Sequence, residues 1–211
     1  MYLFSRRSRL VGGKGTSGIE WASAVCAKVT EVTSHEVQLW ATVYSAGFGT
    51  VSWTSWFDSL ASLEAVGDAL AADGAYNELV DRGAEFLDGS LDDGLMQLVH
   101  GMPDAEREVR YVGGVQAVIA GGQLTRAMGV GVELAMTSTS ITGLPSMFMR
   151  GVTGPYGAVG WLTGYESMAE AESADHALST DPSWIKTIDS TEGCFLEDPA
   201  FTQTTMYRRL A

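Results

Sequence analysis

Large aromatic side chains that could bind a ligand recur in two stretches of the sequence, residues 47–57 and 155–165. A third apolar stretch carries an arginine whose guanidinium could hold a carboxylate or an enolate. Aromatic walls combined with a few fixed polar groups are typical of sites for small apolar or anionic molecules. The candidate ligand-binding residues lining a barrel are Trp53, Phe57, Arg150, Trp161 and Tyr165.

Each candidate also has a purely structural interpretation. The aromatic side chains alternate along two predicted strands, so they either fill the centre of a barrel or pack beneath helices. Arg150 either faces a barrel interior, where it would need an anionic partner, or faces solvent at a sheet edge, where it would need none. The sequence therefore identifies candidates and assigns a catalytic role to none of them.

Two further motifs do not predict a cofactor. The segment GKGTSG at residues 13–18 matches a dinucleotide-binding pattern, but its counterpart GGQLTR does not, and the element order differs from a parallel βαβ unit. Glu172 and His176 are four residues apart on one helix face, yet they supply only two metal ligands. We expect no metal, haem, flavin or nicotinamide, and the residues leave open whether the chain is an enzyme.

The composition favours a compact, acidic protein of the cytoplasm. The 211 residues are 45% hydrophobic and carry a formal net charge of −13, which disfavours nucleic acid and anionic membranes as partners. Arginines in the first nine residues interrupt the apolar run that a signal peptide needs. The two cysteines, Cys26 and Cys194, provide no disulfide framework, as expected in a reducing compartment.

An internal repeat organises the chain. When Gly49 is aligned with Gly157 without gaps, aromatic residues fall on aromatic residues and acids on acids as far as Asp81 and Asp189. This pattern predicts a tandem duplication. The predicted parts are repeat 1 at residues 1–101, a linker at 102–108 and repeat 2 at 109–211.

Each repeat reads as strand, helix, strand, strand, helix, strand, which is the order of a ferredoxin-like unit. In such a unit two helices cover one face of an antiparallel sheet and leave the other face uncovered. Two units whose uncovered faces meet form a closed barrel. We therefore predict an α+β protein in which two ferredoxin-like βαββαβ repeats form an intramolecular dimeric α/β-barrel.

Two segments resemble the region from the third strand to the second helix in dimeric α/β-barrel proteins: SWFDSLASLEAVGDALAADGAYNEL and GYESMAEAESADHALSTDPSWIKTI. The resemblance is nearest to NIPSNAP-like and antibiotic-biosynthesis-monooxygenase-like proteins. It implies the barrel fold and activities that range from cofactor-free oxygenation to haem chemistry. The haem-degrading pattern is not matched, because the first strand has no asparagine and His176 lies far from Trp161 in sequence.

Two functions follow from this fold and these residues. The first is small-molecule binding or a structural, assembly role, with a homo-oligomer as the expected state. The alternative is a cofactor-independent monooxygenase or isomerase acting on an aromatic or lipid-like substrate in the barrel. A binding or catalytic member should have one half with polar barrel-facing positions, whereas a scaffold should have exposed apolar patches.

Overall fold

The structure, a computed structural model, describes residues 1–104 and 106–211. Ala105, in the predicted linker 102–108, lies outside the described residues. A short 3₁₀ helix at Arg82–Glu85 precedes the fourth strand. The other elements are β1 (Tyr2–Leu10), α1 (Gly15–Thr33), β2 (Gln38–Val43), β3 (Thr50–Phe57), α2 (Leu60–Ala72), α3 (Gly74–Asp81), β4 (Leu87–His100), β5 (Tyr111–Val118), α4 (Leu124–Thr142), β6 (Ser146–Gly151), β7 (Ala158–Tyr165), α5 (Met168–Thr180), α6 (Pro182–Asp189) and β8 (Gln203–Arg209).

The strands form a closed barrel in the order β1-β3-β2-β8-β5-β7-β6-β4. Strand β3 pairs antiparallel with β1 and β2, and β7 pairs antiparallel with β5 and β6 in the same way. Each half thus has the pairing order of a ferredoxin-like unit. The predicted α+β dimeric α/β-barrel fold is confirmed.

The chain divides into two compact units, which we call unit 1 and unit 2. Unit 1 contains Met1–Leu95 and Arg208–Ala211, and unit 2 contains Met96–Tyr207. Strand β4 therefore contributes its first part to unit 1 and its last part to unit 2. The repeat boundaries predicted from sequence stay a prediction, because repeats and compact units are different divisions of the chain.

The core of unit 1 lies between its sheet and helix α1. Trp21, Val25 and Val29 recur at helical spacing on α1, and all three are buried in one cluster with Val51 and Trp53 of β3. The rings of Trp21 and Trp53 meet edge to face, with their centroids 5.8 Å apart. Helix α1 is thus held to the sheet by aromatic packing.

Unit 2 repeats this core with different side-chain sizes. Phe148 of β6 stacks on Trp161 of β7 with a centroid separation of 5.0 Å, beneath Leu134 of α4. Gly131 of α4 makes room for the Phe148 ring, since a Cβ at residue 131 would lie 2.2 Å from that ring. The absence of a side chain at residue 131 therefore leaves the space beneath α4 that the Phe148 ring occupies.

The second helix of each repeat begins in the same way. The Ser59 hydroxyl accepts a hydrogen bond from the Ser62 N–H, and the Ser167 hydroxyl accepts one from the Glu170 N–H, both at 3.1 Å. Such side-chain caps satisfy N–H groups that a helix leaves unpaired at its start.

No helix among the described residues combines the length and the apolar character needed to cross a membrane.

Candidate ligand-binding site

Three of the five predicted site residues are buried on the helix-covered face of their sheets. The Trp53 indole donates to the Ala22 carbonyl of α1 at 3.1 Å, and the Trp161 indole donates to the Gly131 carbonyl of α4 at 2.9 Å. Phe57 shares the side of Trp53 on β3 and stacks on His35 at 4.2 Å. These rings fill the space between sheet and helices.

Tyr165 and Arg150 also lie on the helix-covered face of unit 2. Tyr165 follows Trp161 on the same side of β7, and burial raises the pKa of its phenol, as do the nearby carboxylates of Asp175 and Glu170. Arg150 is paired with Val159, which belongs to the core beneath α4. Its side chain is exposed.

The prediction that these five residues line the barrel is therefore wrong about the face. Strand alternation separates two faces, but it does not say which one the helices cover. Bulky indoles lie beneath the helices because a helix carbonyl there accepts each N–H. A ligand-binding role for the five stays a prediction.

The structure places Arg150 in the second of the two settings considered for it, exposed to solvent. The ungapped alignment of the repeats sets Arg150 against Thr42, but the ladders pair Arg150 with Val159 and Ala41 with Val51. Since Val51 and Val159 are equivalent, Arg150 corresponds to Ala41. A slip of one residue moves a side chain to the other face of a strand. The guanidinium consequently donates to the Gln97 side chain at 2.8 Å and has no buried anion to neutralise.

The opposite side of the unit 1 sheet carries a different set of residues, and we call it the open face of unit 1. Directly opposed residues of antiparallel strands share a face, and Arg7, Ser52 and Trp40 form one such row across β1, β3 and β2. The next rows toward the start of β1 pair Ser5 with Thr54 and Leu3 with Trp56. The open face consists of Leu3, Ser5, Arg7, Gln38, Trp40, Thr42, Ser52, Thr54 and Trp56.

Two hydroxyls on the open face make no hydrogen bond with any described residue. Thr42 and Ser52 are only 5% and 6% exposed. Every fully buried side-chain oxygen or nitrogen among the described residues has a hydrogen-bond partner. The hydroxyls of Thr42 and Ser52 must therefore reach accessible space while the rest of each residue is covered. Such oxygens are suited to a ligand that enters that space.

The tryptophans of the open face add aromatic surface and further donors. The Trp40 indole donates to Thr54 Oγ1 at 2.9 Å, so the Thr54 hydroxyl keeps its own proton for another acceptor. Trp56 is half-buried, and its indole N–H has no hydrogen-bond partner among residues 1–104 and 106–211. Trp40 is buried, with 7% of its surface exposed, so the aromatic surface that the face offers is mainly that of Trp56. An indole beside polar groups without a protein partner is the chemistry of a small-molecule site.

The corresponding face of unit 2 lacks this chemistry. The ladders match Ser52 with Gly160, Trp40 with Met149, Thr54 with Leu162 and Trp56 with Gly164. The methyl carbon of Met96 lies 3.3 Å from the point where a Cβ of Gly160 would stand. Methionine, leucine and glycine make this face largely apolar, although Gln116 of β5 lies opposite Gly160 and is exposed. The two units therefore differ on the faces away from their helices.

The open face of unit 1 is better equipped for binding than for acid-base chemistry. Its positions on β1, β2 and β3 include no carboxylate, imidazole or thiol that could act as a general base. In the part of the chain that the structure describes, no group of three or more side chains is arranged to hold a metal ion. The polar groups present can donate hydrogen bonds and orient a molecule.

The sequence interpretation missed this face, although a signal for it exists. Ser52, Thr54 and Trp56 alternate with Trp53 along one strand, and each aligns with an apolar residue or glycine in the second repeat. Positions that match between the repeats, such as Trp53, indicate packing that both halves share. The residues that alternate with them along the strand point to the other face, and their mismatch indicates that this face differs between the halves.

No protein-family model matches the chain, and no curated protein matches it. Among solved structures, it is similar to a "putative monooxygenase" from Fusobacterium nucleatum subsp. nucleatum, with 9% identity, a TM-score of 0.71 and coverage of 100% of this chain and 92% of that one. A second "putative monooxygenase", from Lactobacillus acidophilus, has 10% identity, a TM-score of 0.68 and coverage of 99% and 93%. An anthrone oxidase-like protein has 8% identity, a TM-score of 0.67 and coverage of 100% and 91%. These similarities show the fold.

Proposed function

We propose that this protein binds a small, largely apolar molecule on the open face of unit 1. The observation that carries the proposal is the pair of covered residues, Thr42 and Ser52, whose hydroxyls reach accessible space without a partner. Because these hydroxyls are accessible, water can satisfy them, and an acceptor on a ligand can take the place of that water. A ligand whose apolar body contacts the half-buried Trp56 can accept these hydrogen bonds.

The contrast with unit 2 supports binding over a purely structural role. A sheet face that serves only packing needs bulk and no donors, as Met149 and Leu162 illustrate. The open face of unit 1 has hydroxyls and indoles at the matching positions. Because the same fold carries both faces, the fold itself does not require the polar one.

The test uses the uncharged fluorescent probe N-phenyl-1-naphthylamine. We expect saturable binding at about one probe per chain, accompanied by quenching of tryptophan emission. Replacing Trp56 with alanine removes a large part of the aromatic contact, so Trp56→Ala should weaken binding about tenfold. Fluorescence titration of wild type and variant measures both effects.

A matched control separates this site from other exposed aromatic residues. Tyr156 is 97% exposed in a loop of unit 2 and should contribute nothing to the site. The Tyr156→Ser variant should therefore bind the probe as wild type does. Probe affinity that is unchanged in Trp56→Ala, or an absence of binding to the wild type, would overturn the proposal.

Exposed aromatic side chains favour a second candidate, self-assembly. Tyr44 and Phe48 in the β2–β3 loop are 81% and 76% exposed, and Tyr156 occupies the equivalent loop of unit 2. Large exposed aromatic residues often mark protein contacts. If these loops join copies of the chain, Phe48→Ser combined with Tyr156→Ser should lower the mass measured by light scattering after gel filtration. An unchanged mass would remove this candidate.

A further inference from the structure

The guanidinium of Arg7 makes no ion pair, hydrogen bond or ring contact with any residue in 1–104 or 106–211. Four other arginines, Arg9, Arg82, Arg110 and Arg208, also have no side-chain partner among the described residues, whereas the remaining five do. Arg6 donates two hydrogen bonds to the Asp93 carboxylate at 2.7 Å, and Arg107 donates to both oxygens of Glu170 at 2.8 Å. Arg7 is exposed, and an unpaired guanidinium is not unusual at the surface of this chain. What distinguishes Arg7 is therefore its position rather than its lack of a partner.

Arg7 lies at the polar end of the open face of unit 1. It is directly opposite Ser52, while Leu3 is opposite Trp56 at the other end of the same two strands. Four residues along a strand span about 13 Å, so the face changes from apolar to cationic over that distance. A ligand that matches such a gradient has an apolar body and an anionic group at one end.

We infer that Arg7 binds the carboxylate of an amphiphilic ligand whose apolar body lies against Trp56. This inference rests on the proposed function, since it assigns the ligand class of the same site. The guanidinium provides paired donors for a carboxylate, and the Ser52 hydroxyl lies in the same row to donate a further hydrogen bond.

One acidic residue could compete with the ligand for Arg7. The Ser5 hydroxyl donates to the Gly94 carbonyl, and Arg6 donates to Asp93. As β1 advances by one residue, its neighbour on β4 goes back by one. The next residue, Arg7, should therefore lie beside Asp92. Asp92 is exposed and forms no ion pair with Arg7 in the structure. Its charge should nevertheless repel a carboxylate, which gives a second variant with an effect of the opposite sign.

The test measures displacement of N-phenyl-1-naphthylamine by 2-naphthoate and by 2-naphthamide, which have the same ring system and differ in charge. In wild type at pH 7.5 we expect 2-naphthoate to displace the probe at lower concentration than the amide. Arg7→Gln should weaken 2-naphthoate about tenfold and leave 2-naphthamide and the probe unchanged. Asp92→Asn should strengthen 2-naphthoate two- to threefold.

Arg9 provides the matched control, because it lies on the same side of β1, opposite Thr50, one row farther from Trp56. Arg9→Gln should weaken 2-naphthoate less than Arg7→Gln does. Displacement of the probe by dodecanoate tests whether the ligand is a fatty acid or an aromatic acid. Binding of either acid should depend on Arg7, but only the aromatic acid needs a flat surface for its rings. Equal loss for acid and amide, or no loss in Arg7→Gln while the probe still binds, would overturn the inference and leave the proposed function standing. A wild type that does not bind the probe would overturn both.

Discussion

The two units agree closely beneath their helices and disagree on their other faces. Trp53 and Trp161 occupy equivalent positions, and each donates its indole N–H to a carbonyl of the first helix in its unit. On the opposite side of the same strands, Ser52 and Trp56 correspond to Gly160 and Gly164. Packing against a helix is alike in both halves, while the other face is polar and aromatic in only one of them.

This difference separates residues that stabilise the fold from residues that are free to bind. A buried indole that bonds to a helix carbonyl is fixed by the fold, and its loss removes both packing and a hydrogen bond. A half-buried indole with an unused N–H contributes less to the fold. Stability and ligand binding should therefore be affected by different tryptophans on the same strand.

The largest expected effect tests the helix-covered face. Trp53→Ala and Trp161→Ala should each lower the free energy of unfolding by about 4 kcal/mol, because each leaves a large cavity between sheet and helix. Urea denaturation followed by circular dichroism measures the loss. Trp56→Ala is the control from the open face and should cost about 1 kcal/mol or less. Equal costs for Trp53→Ala and Trp56→Ala would contradict the assignment of the faces.

A second prediction concerns the unequal side-chain sizes in the two cores. Gly131→Ala should lower the free energy of unfolding by about 3 kcal/mol, because the new methyl group overlaps the buried Phe148 ring. In a Phe148→Leu background the same change should cost less than about 1 kcal/mol, since leucine is what unit 1 has at the equivalent Leu39. Denaturation of the four proteins of this double-mutant cycle measures the coupling. Additive costs would show that the two positions are independent.

The smallest expected effect concerns the equivalent helix caps. Ser59→Ala and Ser167→Ala should each lower the free energy of unfolding by about 1 kcal/mol, because each removes an acceptor for an N–H at a helix start. Thermal or urea unfolding of the two variants can be compared directly. A cost confined to one variant would show that the equivalence of the units does not extend to their second helices.

The sequence was sufficient for the fold because the fold depends on pattern. The recurrence of Trp53 as Trp161 and of Phe57 as Tyr165 predicted a duplication, and the order of strands and helices predicted the barrel. Both inferences use only the spacing of residue types. They did not require knowing which way any one side chain points.

The site could not be obtained in the same way, because it depends on face and register. Alternation along β3 places Trp53 and Trp56 on opposite sides, but only the helix that covers Trp53 decides which side is free. For Arg150, the sequence left the barrel interior and solvent as alternatives, and only its pairing with Val159 decides the face. The sequence shows Arg7 as one of several arginines in the first nine residues, and only the strand pairing places it opposite Ser52.

The small residue at 131 and the large residue at 148 depend on each other, which limits the parts that the two units could exchange. Helix α1 carries Ala22 where α4 carries Gly131, and the methyl group of that alanine would collide with Phe148 if a copy of α1 replaced α4. Recombination between the two gene segments would therefore yield poorly folding products. A chimaera with two copies of one helix would therefore need the matching sheet residue as well, leucine beneath alanine or phenylalanine beneath glycine.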